Sequence, residues 1–324
     1  MFQSLWNIWY QIREIYPPTS KWGVEDIPDL TGKVALITGG YGGIGKLIAK
    51  YALQRNATVY IAGRSQKKAE EAIADLKQIT KNDKIHFLQL DLGDLASVKQ
   101  AAAEFRSSGE RLDILFNNAG VMIPPIEQLT KQGYDLTWGT NVIGPSYFTM
   151  LLIPVLLQSA QSTPEGKVRV INVASNASWF APKDGILWDT LKGTDPNRTK
   201  KLTPETAYAQ SKWGNIAFSN ELAKRYGPQG IVSIAVNPGS VRTEANRHAS
   251  PGTKWFLEHI IQGAADPLGA LTPLYAGTSP EALNMGGAYF WPWARVGIPR
   301  ADTRDEKQWR RVWENVEEAA KLVA

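Results

Sequence analysis

Apolar residues in this chain follow two alternating rhythms. Short continuous runs, such as Val34-Ala35-Leu36-Ile37, are separated by longer stretches in which apolar positions return every three or four residues. The runs predict strands covered on both faces, and the longer stretches predict helices with one buried face. Strands are expected over 33–38, 58–62, 85–90, 112–116, 168–173 and 231–236, with a seventh near 287–290. Helices are expected over 44–55, 67–80, 95–106 and in the long stretch between the fourth and fifth strands. This alternation implies an α/β fold, a doubly wound parallel sheet with right-handed crossovers, in one domain over 30–300. Residues 301–324 read as a C-terminal helix. Two irregular stretches interrupt the pattern, a loop over 176–204 and a lid-like segment over 244–282.

Residues 1–29 read as a helix and a linker. Leu5, Ile8, Trp9, Ile12, Ile15 and Tyr16 fall on one helical face, and Pro17-Pro18 stops the helix. Docking of that face on its own domain or on a second copy in a homo-oligomer is the favoured reading. The alternative is a membrane surface, suggested by Trp6, Trp9 and Tyr10. The polar face carries both Arg13 and Glu14, which suits anionic lipid poorly. No secretory signal is expected, and the most apolar run, Tyr147–Leu157, is too short for a bilayer helix and carries Pro154.

Composition narrows the chemistry. The chain has 324 residues, 43% hydrophobic and 21% charged, which are ordinary globular values. It contains no cysteine, so thiol nucleophiles, disulfides and cysteine metal sites are excluded. Its three histidines, His86, His248 and His259, form no HExxH pattern, and no metal is expected. A reducing compartment and cytoplasmic residence fit. The net charge of +5 comes from basic residues interleaved with acidic ones, so no nucleic-acid partner is expected.

The first strand ends in Thr38-Gly39-Gly40-Tyr41-Gly42-Gly43-Ile44-Gly45 and opens directly into a helix. Glycines let the backbone turn tightly and approach a pyrophosphate, and the helix start offers free N–H groups. Gly39, Tyr41, Gly43, Ile44 and Gly45 are therefore candidates for holding a dinucleotide. The second strand runs into Ala62-Gly63-Arg64-Ser65-Gln66-Lys67-Lys68, with three cations and no carboxylate. An acidic residue there would accept ribose hydroxyls, whereas a guanidinium pairs with a 2′-phosphate, so Arg64 and Lys68 point to NADP (NADPH). The competing reading leaves these cations solvated at a helix start.

Further down, Tyr208-x-x-x-Lys212 puts a phenol and an ammonium on one helical face. A neighbouring ammonium and a positively charged nicotinamide favour phenolate and lower a pKa that is otherwise too high for acid–base work at neutral pH. Alone, such a pair is more often a surface pair. It occurs here with Ser175 at a strand end, Asn117-Asn118-Ala119-Gly120, Asn141, Asp91-Leu92 and Asn237-Pro238-Gly239-Ser240-Val241-Arg242-Thr243. Together with Thr38-Gly39-x-x-x-Gly43-Ile44-Gly45, these motifs resemble the short-chain dehydrogenase/reductase family in its single-domain form. The likeness is greatest to the retinol dehydrogenase-like branch and its fungal relatives. It is carried by the Ile61-Ala62-Gly63-Arg64 strand end, the long interval from Ser175 to Tyr208, and the stretch after the lysine.

The resemblance implies a Rossmann fold and an oxidoreductase. Tyr208 would be acid and base, Ser175 would hold the substrate oxygen, Lys212 would grip the nicotinamide ribose, and Asn141 would keep a relay water in line. Asp91 and Leu92 would contact adenine, Asn118, Ala119 and Gly120 would support the adenosine side, and Pro238, Gly239, Val241 and Thr243 would hold the carboxamide. Trp179, Phe180 and Trp188, with Trp255, Phe256, Leu257, Ile260 and Ile261, suggest an apolar or aromatic alcohol, aldehyde or ketone. Equally, they could simply pack the domain. A catalytically silent dinucleotide-binding redox sensor or scaffold is the alternative, although loss of Tyr208, Lys212 or Ser175 would be its expected mark.

Overall fold

The apolar runs pair into one eight-stranded sheet in a computed structural model that describes residues 2–194, 198–239 and 266–323, with backbone alone over 2–8. The strands are β1 (Val34–Thr38), β2 (Thr58–Gly63), β3 (Ile85–Gln89), β4 (Ile114–Asn117), β5 (Val168–Val173), β6 (Ile231–Val236), β7 (Tyr289–Trp291) and β8 (Arg295–Gly297). Their order is 3-2-1-4-5-6-7-8, and every pairing is parallel except the closing β7–β8 hairpin. The order reverses between β1 and β4, which opens a crevice at their C-terminal ends. The short β8 was not among the expected strands.

Eight helices of two turns or more flank the sheet among the described residues. They are α1 (Phe2–Ile15), α2 (Gly43–Gln54), α3 (Gln66–Thr80), α4 (Leu95–Ser107), α5 (Leu136–Gln161), α6 (Pro204–Tyr226), α7 (Leu268–Thr278) and α8 (Glu306–Ala320). Successive side chains of a strand point to opposite faces, and β1 shows why its run is continuous. Val34 and Leu36 join the core beneath α4, α5, α6 and α8, while Ala35 and Ile37 join the core beneath α2, α3 and α7. The apolar run Tyr147–Leu157 belongs to α5, a 26-residue helix whose length and composition would suffice to cross a membrane. The short-run expectation is corrected to that extent. Its most apolar window is 67% buried against the sheet, as in a core helix.

The two irregular stretches differ from expectation in their footing. The loop over 176–204 is clamped: Trp188 meets Trp138 edge-on at 6.2 Å and lies under the Arg311 guanidinium at 4.1 Å. Buried Arg198 pairs with buried Asp135 and donates to the Ile126 carbonyl. Of the lid-like segment, the described part is mostly α7, a core helix through Ala270 and Leu274. Val241, Thr243, Trp255, Phe256, Leu257, Ile260 and Ile261 lie outside the described residues.

The N-terminal helix docks on its own domain, and three residues of the face its apolar spacing selects stay outside the contact. Trp9, Ile12 and Tyr16 are 43%, 52% and 55% exposed, whereas Glu14 is 1% exposed. Tyr10 packs against Trp291 at 5.7 Å, and Arg295 donates to the Arg13 carbonyl. Hydrogen-bond donors on β7 and in the turns after β5 and β6, rather than apolar area, choose the buried side.

Candidate active site

The glycine turn leaves β1 with Gly39 at φ +68° and enters α2 with Gly43 at φ +51°, both in the left-handed region. At Gly45 a Cβ would sit 2.4 Å from the Gly39 carbonyl oxygen and 2.6 Å from Asn118 Nδ2. The turn closes only without that side chain. No acidic residue occupies the first turn of α2, so its N–H groups and dipole face the crevice without competition. The turn is clasped by Thr38, whose hydroxyl accepts from the N–H groups of Asn118 and Ala119 at 3.0 Å each. Asn118 Nδ2 returns a bond to the Thr38 carbonyl at 2.9 Å.

One cavity of about 290 Å³ gathers Gly39, Tyr41, Gly43 and Ile44 with Arg64, Asp91 and Leu92, and with Asn118, Ala119 and Gly120. Ten of the expected cofactor residues therefore line a single cleft. Arg64 is exposed on its rim and also lines a neighbouring cavity of about 320 Å³; its guanidinium has no ion pair among the described residues. Lys68 is not brought there: it is exposed on α3, with its backbone N–H capped by Ser65. Gly63 has a role the sequence did not reveal. A Cβ on it would lie 2.1 Å from the Tyr41 ring, so the glycine seats that ring against the end of β2. The missing Cβ at Gly45, the helix start lining the cleft and a guanidinium without an ion pair among the described residues fit a dinucleotide phosphate chain.

At the C-terminal end of β5, outside the lining of that cavity, α6 supplies Tyr208 and Lys212 and the turn after β5 supplies Ser175. The Tyr208 phenol lies close enough to Ser175 for that hydroxyl to act on its titration. Lys212 Nζ is 5.6 Å from the Tyr208 ring and donates to the Val173 carbonyl at 2.8 Å. Asn215 Nδ2 shares that carbonyl at 3.1 Å. Burial pushes Tyr208 up to about 12, against the pull of the Ser175 hydroxyl, and drives Lys212 down to about 8. The expected lowering of the phenol by its ammonium neighbour is thus overridden here, because burial acts on both groups and the ammonium is bound to a carbonyl.

Asn141 lies in a π-turn, Gly139–Ile143, inside α5. Its Oδ1 accepts from Val121 N–H at 2.8 Å, and its Nδ2 donates to the Val121 carbonyl at 3.0 Å and Ser211 Oγ at 3.1 Å. Both side-chain donors are committed within the protein. The residue grips the chain just after Gly120 rather than reaching toward Lys212. Ser175 also caps the short helix Asn176–Phe180 by accepting from Ala177 N–H at 3.2 Å. Pro238 and Gly239 follow β6, with the Gly239 N–H bonded to Asn237 Oδ1 at 3.0 Å. Ser211, Asn215, Asn237 and Glu14 were not anticipated; only Asn237, adjacent to Pro238-Gly239, carried a sequence signal. Trp179 is buried with its indole N–H on Glu14, and Trp188 is packed under Arg311, so both serve the scaffold.

A doubly wound sheet with a glycine turn at its switch point, facing a Tyr–Lys–Ser cluster, defines a nicotinamide-dependent oxidoreductase. The chain matches the family model described as short chain dehydrogenase over residues 33–187. It is 49% identical to a short-chain dehydrogenase/reductase of Armillaria gallica over 311 residues, covering 96% of this chain and 97% of that relative. The chain belongs to the short-chain dehydrogenase/reductase family. Among solved structures it is similar to RhlG of Pseudomonas aeruginosa in an NADP active-site complex, at 26% identity and TM-score 0.61, over 81% of this chain and 95% of that one. It shares the fold of a 3-ketoacyl-(acyl-carrier-protein) reductase from Brucella melitensis complexed with NADH, at 23% identity and TM-score 0.62, over 82% and 99% of the two chains.

Proposed function

We propose that this chain is an NADP-preferring oxidoreductase interconverting an apolar or aromatic alcohol with its aldehyde or ketone, with Tyr208 as acid and base. The observation that carries this reading is the gathering of Tyr208, Ser175 and Lys212 at the same C-terminal end of the parallel sheet as the glycine turn. When bound, the dinucleotide supplies or accepts the hydride. Gly39, Gly43, Ile44 and Lys212 would hold it. Ser175 holds the substrate oxygen, which fixes the carbonyl for attack. In reduction the Tyr208 hydroxyl gives its proton to the developing alkoxide oxygen, and in oxidation it takes the proton back. A positive charge brought beside the phenol lowers its pKa from the value set by burial.

The preference for NADP rests on the Arg64 guanidinium at the cleft rim. The apolar substrate rests on Phe180, which is 66% exposed five residues beyond Ser175. The silent sensor or scaffold is not favoured, since its expected losses at Tyr208, Lys212 and Ser175 have not occurred. A panel of aliphatic and aromatic aldehydes, ketones and alcohols, run with each nicotinamide cofactor and read by nicotinamide absorbance, tests the reading. Binding of NADPH without turnover of any panel member would favour the silent alternative.

A further inference from the structure

Among the described residues Glu14 is the most buried carboxylate outside the cleft, and it comes from the far end of the chain. Its Oε1 accepts from Asn237 Nδ2 at 2.8 Å and from the Tyr289 hydroxyl at 2.6 Å, and its Oε2 accepts from the Trp179 indole at 2.8 Å. Each of those partners leads somewhere different. Trp179 lies in the short helix that Ser175 caps, and Asn237 immediately precedes Pro238-Gly239. Tyr289 belongs to β7, the last parallel strand.

We propose that Glu14 is a positioning residue of the active site: its carboxylate ties the Ser175 turn to the Asn237-Pro238-Gly239 turn, so that the N-terminal helix completes the catalytic bank. The inference rests on the reading of Ser175 as the residue that holds the substrate oxygen.

The donor set requires an acceptor-only group at this point. An indole N–H can only donate. The Asn237 carboxamide is fixed in orientation, because its Oδ1 is taken by the Gly239 N–H and its Nδ2 must face Glu14. An ionised carboxylate meets this demand: burial raises its pKa, and the three donors and Arg295 pull it back toward the charged form that accepts charge-assisted bonds. Arg295 is the charged group across from it, with Arg13 close by. A residue that only anchored α1 would need one partner on the sheet edge. Glu14 divides its two oxygens between β7 and both active-site turns.

Glu14→Gln in the full chain tests this. The glutamine keeps one acceptor oxygen but turns an amide N–H toward the Trp179 indole N–H, donor against donor. The reporters are the backbone amides of Ala177, Ser178 and Gly239, each bonded to Ser175 or Asn237, followed by hydrogen exchange. Exchange at these amides should accelerate about tenfold or more, the loss of one charge-assisted bond, while amides of β1 keep their wild-type rate. The kcat for a carbonyl identified in the panel should fall about tenfold, while the NADPH dissociation constant, read by dinucleotide fluorescence, stays within about threefold. Acceleration confined to residues 9–16 overturns the proposal, and so does an unchanged kcat. If Glu14→Gln loosens β1 as well, replacing Trp179 by benzothienylalanine, which exchanges the N–H for sulfur and keeps the bicyclic ring, takes its place. Faster exchange at Ala177 and Ser178 then supports the proposal, and unchanged exchange refutes it. If no carbonyl is reduced at all, the functional reading fails, and the exchange experiment still decides the role of Glu14.

Discussion

The two banks of the cleft are built in opposite ways. The cradle bank is a set of strand-end turns, each closed by nearby backbone: Gly39 and Gly43 in their left-handed conformations, Gly45 against the Gly39 carbonyl, Thr38 clasping Asn118 and Ala119. Its requirements are mostly the absence of atoms. The catalytic bank collects buried polar side chains from α1, the π-turn of α5, β5, α6 and the end of β6. Its requirements are the presence of particular donors, acceptors and charges, several of them displaced in pKa by burial. The cradle should therefore fail by steric intrusion and be indifferent to pH, while the catalytic bank should fail by loss of single polar atoms.

The largest effect is expected on the catalytic bank. Tyr208→Phe should lower kcat by about 10²–10⁴, the usual range for a general acid, and leave the NADPH dissociation constant within about threefold. Substantial reductase activity in a folded Phe variant would remove Tyr208 from the mechanism. On the cradle rim, Arg64→Ala should weaken NADPH by about ten- to a hundredfold and leave NADH nearly unchanged. Titration of both cofactors at one ionic strength reads this directly, and equal losses for both would mean that Arg64 is merely solvated. Replacing Gly63 instead is a poor test, because a new side chain there strikes the Tyr41 ring.

Steric intrusion is probed at Gly45. Gly45→Ala puts a methyl against the Gly39 carbonyl and Asn118, and should destabilise the domain by about 1–3 kcal/mol while weakening both cofactors alike. A Tm unchanged from wild type would show that the turn relaxes around the methyl. The smallest effect is a pH dependence belonging to the catalytic bank alone. Burial drops Lys212 from 10.5 to about 8, so its ammonium is lost as pH rises through about 8, while Tyr208 keeps its proton up to about 12. The kcat/KM for NADPH should accordingly decline above about pH 8, and Lys212→Arg should carry its plateau to higher pH. Stability should run the other way. Between about pH 8 and 10.5 the unfolded chain binds the lysine proton more fully, so this group's contribution rises with pH, and Lys212→Met should abolish that rise in denaturant melts.

The same division governs what can be read without the fold. Strand runs, their order, the glycine turn and the Tyr208–Lys212 spacing are short-range patterns, and each survives as written because backbone geometry alone turns it into structure. The doubly wound sheet and most of the cradle bank were legible on that basis. The hairpin strand β8 was not, since three residues of part-exposed edge give no period to detect. Nor was the π-turn at Asn141, which sits inside a helix whose apolar pattern continues on either side. The N-terminal helix marks the boundary most clearly. Its spacing identifies an apolar face that includes Trp9, Ile12 and Tyr16, yet those residues remain exposed and Glu14 is buried. The donors that bury it lie 165, 223 and 275 positions away in the chain. Periodicity reports which side of a helix is apolar. Whether a charged residue can be buried depends on hydrogen-bond partners, and those were assembled here only by the tertiary fold.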